Sequence, residues 1–235
     1  ISHHDSAERF TKEGVDVFLG QATFTGRNTL EVNGEELQFA KAVICTGARA
    51  ARLTVDGFDD VGYLTNETLF SLTELPKSLT VIGSGPIGSE MAQAFRRYGA
   101  EVHIIDMANR VMPRAEPEAS AIVQAQFESE GIHLHLGSKI VRAEEVDGGK
   151  RVVVERDGAQ HHIDGEEILV AVGRAPNIDG LGLEAAGVET TKRGVKVNDY
   201  LQTTNPNIFA AGDIAGSYQF THAADAMARI CIRNA

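Results

Sequence analysis

The chain is poor in cysteine. Its two cysteines, Cys45 and Cys231, stand far apart in 235 residues. Without a CxxC or similar local pair, a zinc ribbon and a local redox disulfide are both excluded. Each thiol falls in an apolar pattern, AVIC and MARICIRN, where a small buried hydrophobe is the usual role. Free buried thiols are the default of a reducing compartment, so a cytoplasmic location is expected. Long apolar runs are missing as well. No stretch approaches the roughly 20 residues that span a bilayer, so no membrane partner is expected. The start, ISHHDSAERF, lacks the apolar core and basic flank of a secretory signal. Clusters of Lys and Arg are also absent, and the formal net charge is −11. That balance argues against a nucleic-acid partner, because such affinity comes from neutralising phosphates with a basic face. With six prolines and no low-complexity run, disorder is not indicated, and a hydrophobic fraction of 43% supplies a core.

What is present is a rhythm of short strands and glycine turns. VDVFLGQATFTG reads as a strand pair. NTLEVNGEELQFAKAVIC carries Asn33-Gly34 between apolar alternations, a strong hairpin signal. The rhythm changes near Leu79. LTVIG reads as a buried parallel-type strand. Residues 86–98 read as a helix with Ile87, Met91, Ala94, Phe95 and Tyr98 on one face, and Gly99 as its C-terminal cap. EVHIID is the next strand, and a second helix runs from Pro117 to Glu130 with Ala119, Ile122, Val123 and Phe127 on its face. Three strands follow around Asp147-Gly148-Gly149 and Asp157-Gly158, then EEILVAVG, and later NIFAAGD with a helix from Thr221. Three apolar strands therefore run into glycine, at Thr46-Gly47, at Gly83 to Gly88 and at Gly212-Asp213. Ligands of open α/β sheets collect at the carboxyl ends of strands, so more than one nucleotide site is expected.

The sharpest motif is Gly83-x-Gly85-x-x-Gly88, between a strand and a helix. The first glycine permits the tight turn. The second lets backbone approach a pyrophosphate, and the third lets helix and strand pack closely, with the helix N-terminus directed at the phosphates. The acidic partner expected about 20 residues on is Asp106, closing the next strand. A carboxylate there accepts from both ribose hydroxyls and repels a 2′-phosphate, which favours NAD(H) over NADP(H). Arg110, close behind, is open to two readings, a partner for a 2′-phosphate or a surface side chain. Glu90 is equally open on chemistry alone, as a favourable charge near a helix N-terminus or as a contact to the nicotinamide. His222 stands near a helix start, where capping or packing competes with a cofactor contact. His133 and His135 share a strand face, and His161 and His162 point oppositely. No partners at ligand spacing accompany them, so no metal site is expected.

Read in order, Thr46-Gly47-Ala48, YLTNETLFSLTELPKSLTVIGSGPIGSEMAQAF, Val172-Gly173-Arg174-Ala175-Pro176-Asn177 and Ala211-Gly212-Asp213-Ile214 cover nearly the whole chain. Together they resemble the flavin-dependent pyridine nucleotide-disulfide oxidoreductases, most of all the mercuric reductase and dihydrolipoamide dehydrogenase branch. The resemblance implies roles. Gly83, Gly85, Pro86, Ile87 and Gly88 would hold the NAD(H) pyrophosphate and its surroundings. Glu90 and Gly173 would lie at the nicotinamide, and Asp106 at the ribose. Ala22 would contact the flavin adenine, Thr46 and Gly47 would lie beside FAD, and Gly212-Asp213 would hold the ribityl chain. Ala223, beside His222, would lie at the helix start facing the isoalloxazine.

Two features of that family are missing from the sequence: an upstream GxGxxG for the FAD pyrophosphate, and a CxxxxC redox pair. The His-Glu pair of the dimerisation domain is missing too, so no catalytic residue is assigned. The expectation is an internal fragment of a longer, homodimeric flavoenzyme that passes hydride from NADH to FAD and on to a disulfide or Hg(II). The chain alone is expected to be inactive and to hold FAD weakly. The fold class expected is α/β, a three-layer Rossmann-like FAD/NAD(P)-binding architecture. Residues 75–182 would be a complete nicotinamide-binding domain, inserted between flavin-domain parts at 1–74 and 183–235. Two alternatives stay open: a stand-alone NAD-binding module without redox chemistry, and a flavoprotein of the NADH oxidase or ferredoxin-reductase type.

Overall fold

The computed structural model describes residues 6–216 and 218–235. In chain order it contains α1 (Ala7–Lys12), β1 (Ala22–Phe24), β2 (Thr29–Val32), β3 (Glu35–Gln38), β4 (Ala42–Ile44), β5 (Ala48–Ala50) and α2 (Phe58–Val61). Then come β6 (Ser78–Ile82), α3 (Pro86–Tyr98), β7 (Glu101–Ile105), α4 (Pro117–Ser129), β8 (His133–His135), β9 (Lys139–Val146), β10 (Gly149–Arg156), β11 (Ala159–Gly165) and β12 (Glu167–Val170). The last elements are β13 (Arg174–Pro176), β14 (Thr190–Thr191), β15 (Gly194–Val195), β16 (Ile208–Ala210) and α5 (Thr221–Asn234). No helix among the described residues is long and apolar enough to cross a membrane. The chain divides into two compact units, one of Arg49–Ala175 and one of the residues up to Ala48 with Pro176–Ala235.

The Arg49–Ala175 unit is a three-layer α/β structure. Its parallel sheet has the order β12-β6-β7-β8, with α3 and α4 as crossovers. Both faces are covered, which is why Leu79 to Ile82 is apolar or buried without alternation. On the helix side Val81, Val102, Ile104 and Leu169 pack with Ala92 and Phe127. On the other side Ile82, Ile105 and Ile168 meet Phe58 of α2 and Val152, Val154 and Ile163 of the β9-β10-β11 meander. The backbone NH of Ala51 donates to the Gly173 carbonyl at 2.9 Å, tying the two ends of the unit to each other.

Both crossover helices begin with proline in the first turn, and α3 ends on Gly99 at φ 111° as the sequence predicts. Their inward faces differ from expectation. Helix α3 buries Gly88, Ser89 and Ala92, while Tyr98 is 72% exposed. Close approach of helix to strand at Gly88 puts the small residues deepest against the sheet, with Met91 and Phe95 packed beside them and Tyr98 left outside. In α4, Ser120 and Phe127 are buried with Val123 beside them, whereas Ala119 and Ile122 face solvent. The buried Ser120 hydroxyl donates to the Val111 carbonyl and fixes which side of the first turn is inside.

Residues 49–74 pack with the sheet that follows them. Leu64 bridges Leu169 in parallel register, Ala143 donates to the Asp56 carbonyl, and Phe58 is fully buried. By compactness the two units divide at 48/49 and 175/176.

The other unit holds the antiparallel β1-β2-β3 sheet and the parallel pair β4-β16. Asn33 and Gly34 take φ of 52° and 84° at the β2-β3 turn, as the hairpin signal requires. Ile44, Ile208, Ala210 and Ile214 form one core with Leu181, Leu183 and Val195. On the opposite face Phe209 and Ala211 pack with Cys231 of α5. Of the expected VDVFLGQATFTG strand pair only β1 forms. Residues 15–19 carry no ladder partner among the described residues, and Leu19 is 75% exposed. Helix α1 is unannounced by apolar periodicity. It rests on the Ser6 cap and on the Lys12–Glu8 and Arg9–Glu13 pairs.

Three histidines gather on the meander side of the sheet edge. His103 stands opposite His133 in the β7-β8 register, and their rings stack at 4.8 Å. His103 Nδ1 and His135 Nε2 are 3.1 Å apart. Burial, with His103 and Arg156 adding to it, pushes His135 from 6.5 down to about 4, and burial with His133 lowers His103. In the unfolded chain these imidazoles take protons near their ordinary value, so the unfolded state binds more protons as the pH falls from about 6.5 to about 4. Thermal melts over that range are expected to show a falling midpoint. His135→Leu is expected to flatten the fall, and an unchanged slope would contradict the assignment.

Candidate functional site

The glycine loop sits at the carboxyl ends of β6, β7 and β12, where the parallel strands stop. Gly83 has φ 101°, a conformation that costs an L side chain dearly, and its NH donates to the Ile105 carbonyl at 2.8 Å. A Cβ at Gly83 would press on the Ala171 carbonyl at 2.6 Å. One at Gly88 would collide with the Gly83 carbonyl oxygen. A Cβ at Gly85 would meet nothing within 4 Å. Two of the three glycines are thus required by packing, and the middle one borders open space. Gly85 is also the N-cap of α3 and offers no side chain to cap it. The first-turn NH groups of a helix have no acceptor inside it, so this end presents donors and positive dipole to the open side.

Asp106 closes the loop from β7. Its Oδ2 accepts from both the NH and the hydroxyl of Ser84, each at 2.6 Å, and its Oδ1 accepts from the Ala108 NH at 2.8 Å. Ser84 is fully buried and acts as a hub. Its carbonyl takes the Met112 NH at 2.8 Å and the Ser89 hydroxyl at 3.0 Å. One residue inside the loop therefore connects the strand end, the following segment and the second turn of the helix. Spacing alone does not mark Ser84. The available signal was a hydroxyl facing an aspartate at the end of the neighbouring strand.

Arg110 is occupied. Its guanidinium donates to the carbonyls of Pro113 and Ala115 at 2.9 and 3.1 Å. Pro86 and Ile87 form the first turn of α3. Glu90 is exposed one turn on, lining the groove between α3 and α4 with Pro86, Ser89, Met112 and Phe127. Gly173, at φ 131°, ends the β12 segment, and a Cβ there would also meet open space.

In the other unit, β4 and β16 run parallel with Ala210 opposite Ile44, and the Ala211 NH donates to the Ile44 carbonyl. This register puts Thr46-Gly47 and Gly212-Asp213 side by side at one sheet end. Gly47 and Gly212 have φ of 66° and 79°, and a Cβ on Gly212 would touch Ala224, next to Ala223 in the first turn of α5. Asn177 secures the Thr46 segment. Its NH donates to the Gly47 carbonyl, its Nδ2 donates to the Thr46 carbonyl, and its carbonyl accepts the Thr46 hydroxyl at 2.9 Å. Three bonds to one dipeptide make Asn177 the support of this strand end. Ala22 stands apart from this strand end, in β1 of the antiparallel sheet. Cys231 is fully buried, and burial raises its thiol above the ordinary value. Cys45 differs from the expected buried residue, being exposed overall although its thiol is likewise raised by burial.

A family model described as pyridine nucleotide-disulphide oxidoreductase matches residues 3–228. A mercuric reductase of Bacillus cereus is 38% identical over 223 residues, covering 94% of this chain and 35% of that protein. A dihydrolipoyl dehydrogenase of Bacillus subtilis is 34% identical, covering 91% of this chain and 47% of that protein. Among solved structures, the HOCl-induced flavoprotein disulfide reductase RclA from Escherichia coli superposes with a TM-score of 0.84 at 30% identity, over 91% of this chain and 49% of that one. The chain thus spans half or less of the length of each of these relatives.

The glycine geometry separates packed positions from an open one. Gly88→Ala is expected to cost about 1–3 kcal/mol in urea denaturation, the usual penalty of overpacking. Gly85→Ala, at φ −70° and facing open space, is expected to leave stability within about 1 kcal/mol of the unmutated chain.

Proposed function

The chain belongs to the pyridine nucleotide-disulphide oxidoreductase family, and on that footing we propose that its Gly83–Gly88 loop binds NADH within a longer flavoenzyme. One observation carries the reading. Gly85 opens onto free space at a helix N-terminus, beside a strand-end carboxylate. A pyrophosphate fits there, because free helix donors and the dipole favour an anion and no side chain blocks its approach. Gly83 and Gly88 hold the turn, and Ile87 and Glu90 follow on the same helix. Gly173 borders the loop at the end of β12 and would face the nicotinamide.

Asp106 favours NADH over NADPH. Its negative charge opposes a 2′-phosphate, and Arg110 directs its Nη2 to the Pro113 and Ala115 carbonyls of its own segment. Residues 75–182 are the proposed nicotinamide-binding domain, with 1–74 and 183–235 contributing to a flavin domain. There Thr46, Gly47, Gly212, Asp213 and Ala223 meet at one strand end and would hold FAD, with Ala22 at its adenine. When bound, the two cofactors supply the hydride chemistry. The chain's residues orient them, exclude water and set the local charge. In the longer enzyme, proposed to be a cytoplasmic homodimer, reducing equivalents would reach a disulfide or Hg(II).

Titration of the purified chain with NADH and NADPH tests the core of this. NADH is expected to bind about tenfold tighter or better, the size of one charge effect. Asp106→Ala is expected to narrow that gap mainly by weakening NADH. Tighter binding of NADPH to the unmutated chain would overturn the assignment of Asp106.

A further inference from the structure

We propose that Ser84 is a specificity-determining residue that restricts Asp106 to a single ribose hydroxyl. The inference rests on the NADH reading above and deepens it. A carboxylate offers about four lone-pair positions, two on each oxygen. In Asp106 three are already taken inside the protein. The Ser84 NH and hydroxyl fill both positions of Oδ2 at 2.6 Å, and the Ala108 NH fills one of Oδ1 at 2.8 Å. One position on Oδ1 remains. A carboxylate that grips both hydroxyls of an adenosine ribose needs two.

The two Ser84 donors differ in kind. The backbone NH belongs to the loop conformation and is present whatever residue stands there. The hydroxyl belongs to serine alone. Ser84 is fully buried, so its hydroxyl cannot turn to water, and a carboxylate can only accept from it. The side chain therefore competes with the nucleotide for Asp106. Removing it leaves Asp106 held by two backbone NH groups, one on each oxygen, with one open position on each. That pair of positions matches two adjacent hydroxyls.

Fluorescence or calorimetric titration of the chain with NADH, NADPH and NADH lacking either the adenosine 2′- or 3′-hydroxyl tests this. In the unmutated chain, loss of one hydroxyl is expected to weaken binding and loss of the other to leave it nearly unchanged. In Ser84→Ala, NADH is expected to bind about three- to tenfold tighter, less than a full charge-assisted bond because water is displaced from the freed position. Both deoxy forms should then bind more weakly than NADH, while NADPH hardly moves. Ser84→Gly serves as the second variant, and thermal melts confirm folding of both. Weaker NADH binding in the variants would make the hydroxyl a clamp that aids the ligand, and would overturn the proposal. So would equal losses for both deoxy forms on the unmutated chain, which needs no variant to fold. If the folded, unmutated chain binds neither nucleotide, the NADH reading itself falls, and this inference with it.

Discussion

The close approach of α3 to β6 at Gly88 is the constraint on which the rest of the Arg49–Ala175 unit depends. A single methyl group there would strike the Gly83 carbonyl. With hydrogen in its place, the helix lies down on its small residues, Gly88 and Ala92, and the loop before it is drawn tight. The tight loop places the Ser84 NH and hydroxyl against Asp106 and the Ser84 carbonyl against Met112 and Ser89. Packing and polar satisfaction are one arrangement here. Loosening the helix would break four hydrogen bonds of a buried serine, each a loss of about 1 kcal/mol or more.

Much of this was legible in the sequence because the signals were local. Pro86 and Gly99 bracket α3, Asn33-Gly34 marks the hairpin, and strand, glycine loop, helix and strand occur in phase. Burial was hidden where tertiary contact decides. Tyr98 and Ile122 look like core residues by period and are exposed, because small residues set the helix orientation. In residues 49–74, Leu64 and Phe58 pack on the sheet and core that follow. No pattern within those residues could reveal a partner more than a hundred positions on.

The candidate site was legible at its glycines and carboxylate and opaque at its supports. Gly83, Gly85, Gly88 and Asp106 announce themselves by spacing. Ser84 and Asn177 do their part through hydrogen bonds whose partners lie on neighbouring strand ends. Such residues sit next to strong motifs, so they are read as spacers. The structure also divides the glycines into kinds that spacing cannot separate, with Gly83 and Gly88 hemmed in and Gly85 unobstructed.

The bond between the Ala51 NH and the Gly173 carbonyl has a bearing on how the chain assembles. The unit built from Arg49–Ala175 interrupts the other unit in sequence, so β4 and β16 must find each other across it. An open coil of that length would charge the pairing about 4 kcal/mol of closure entropy. Once the interrupting unit has folded, its own ends are held within one hydrogen bond, and that cost has been met beforehand. The β4-β16 pair then becomes, in kinetic terms, a short-range contact between segments remote in sequence. Connectivity thus makes the β4-β16 pairing less costly once the continuous unit has folded.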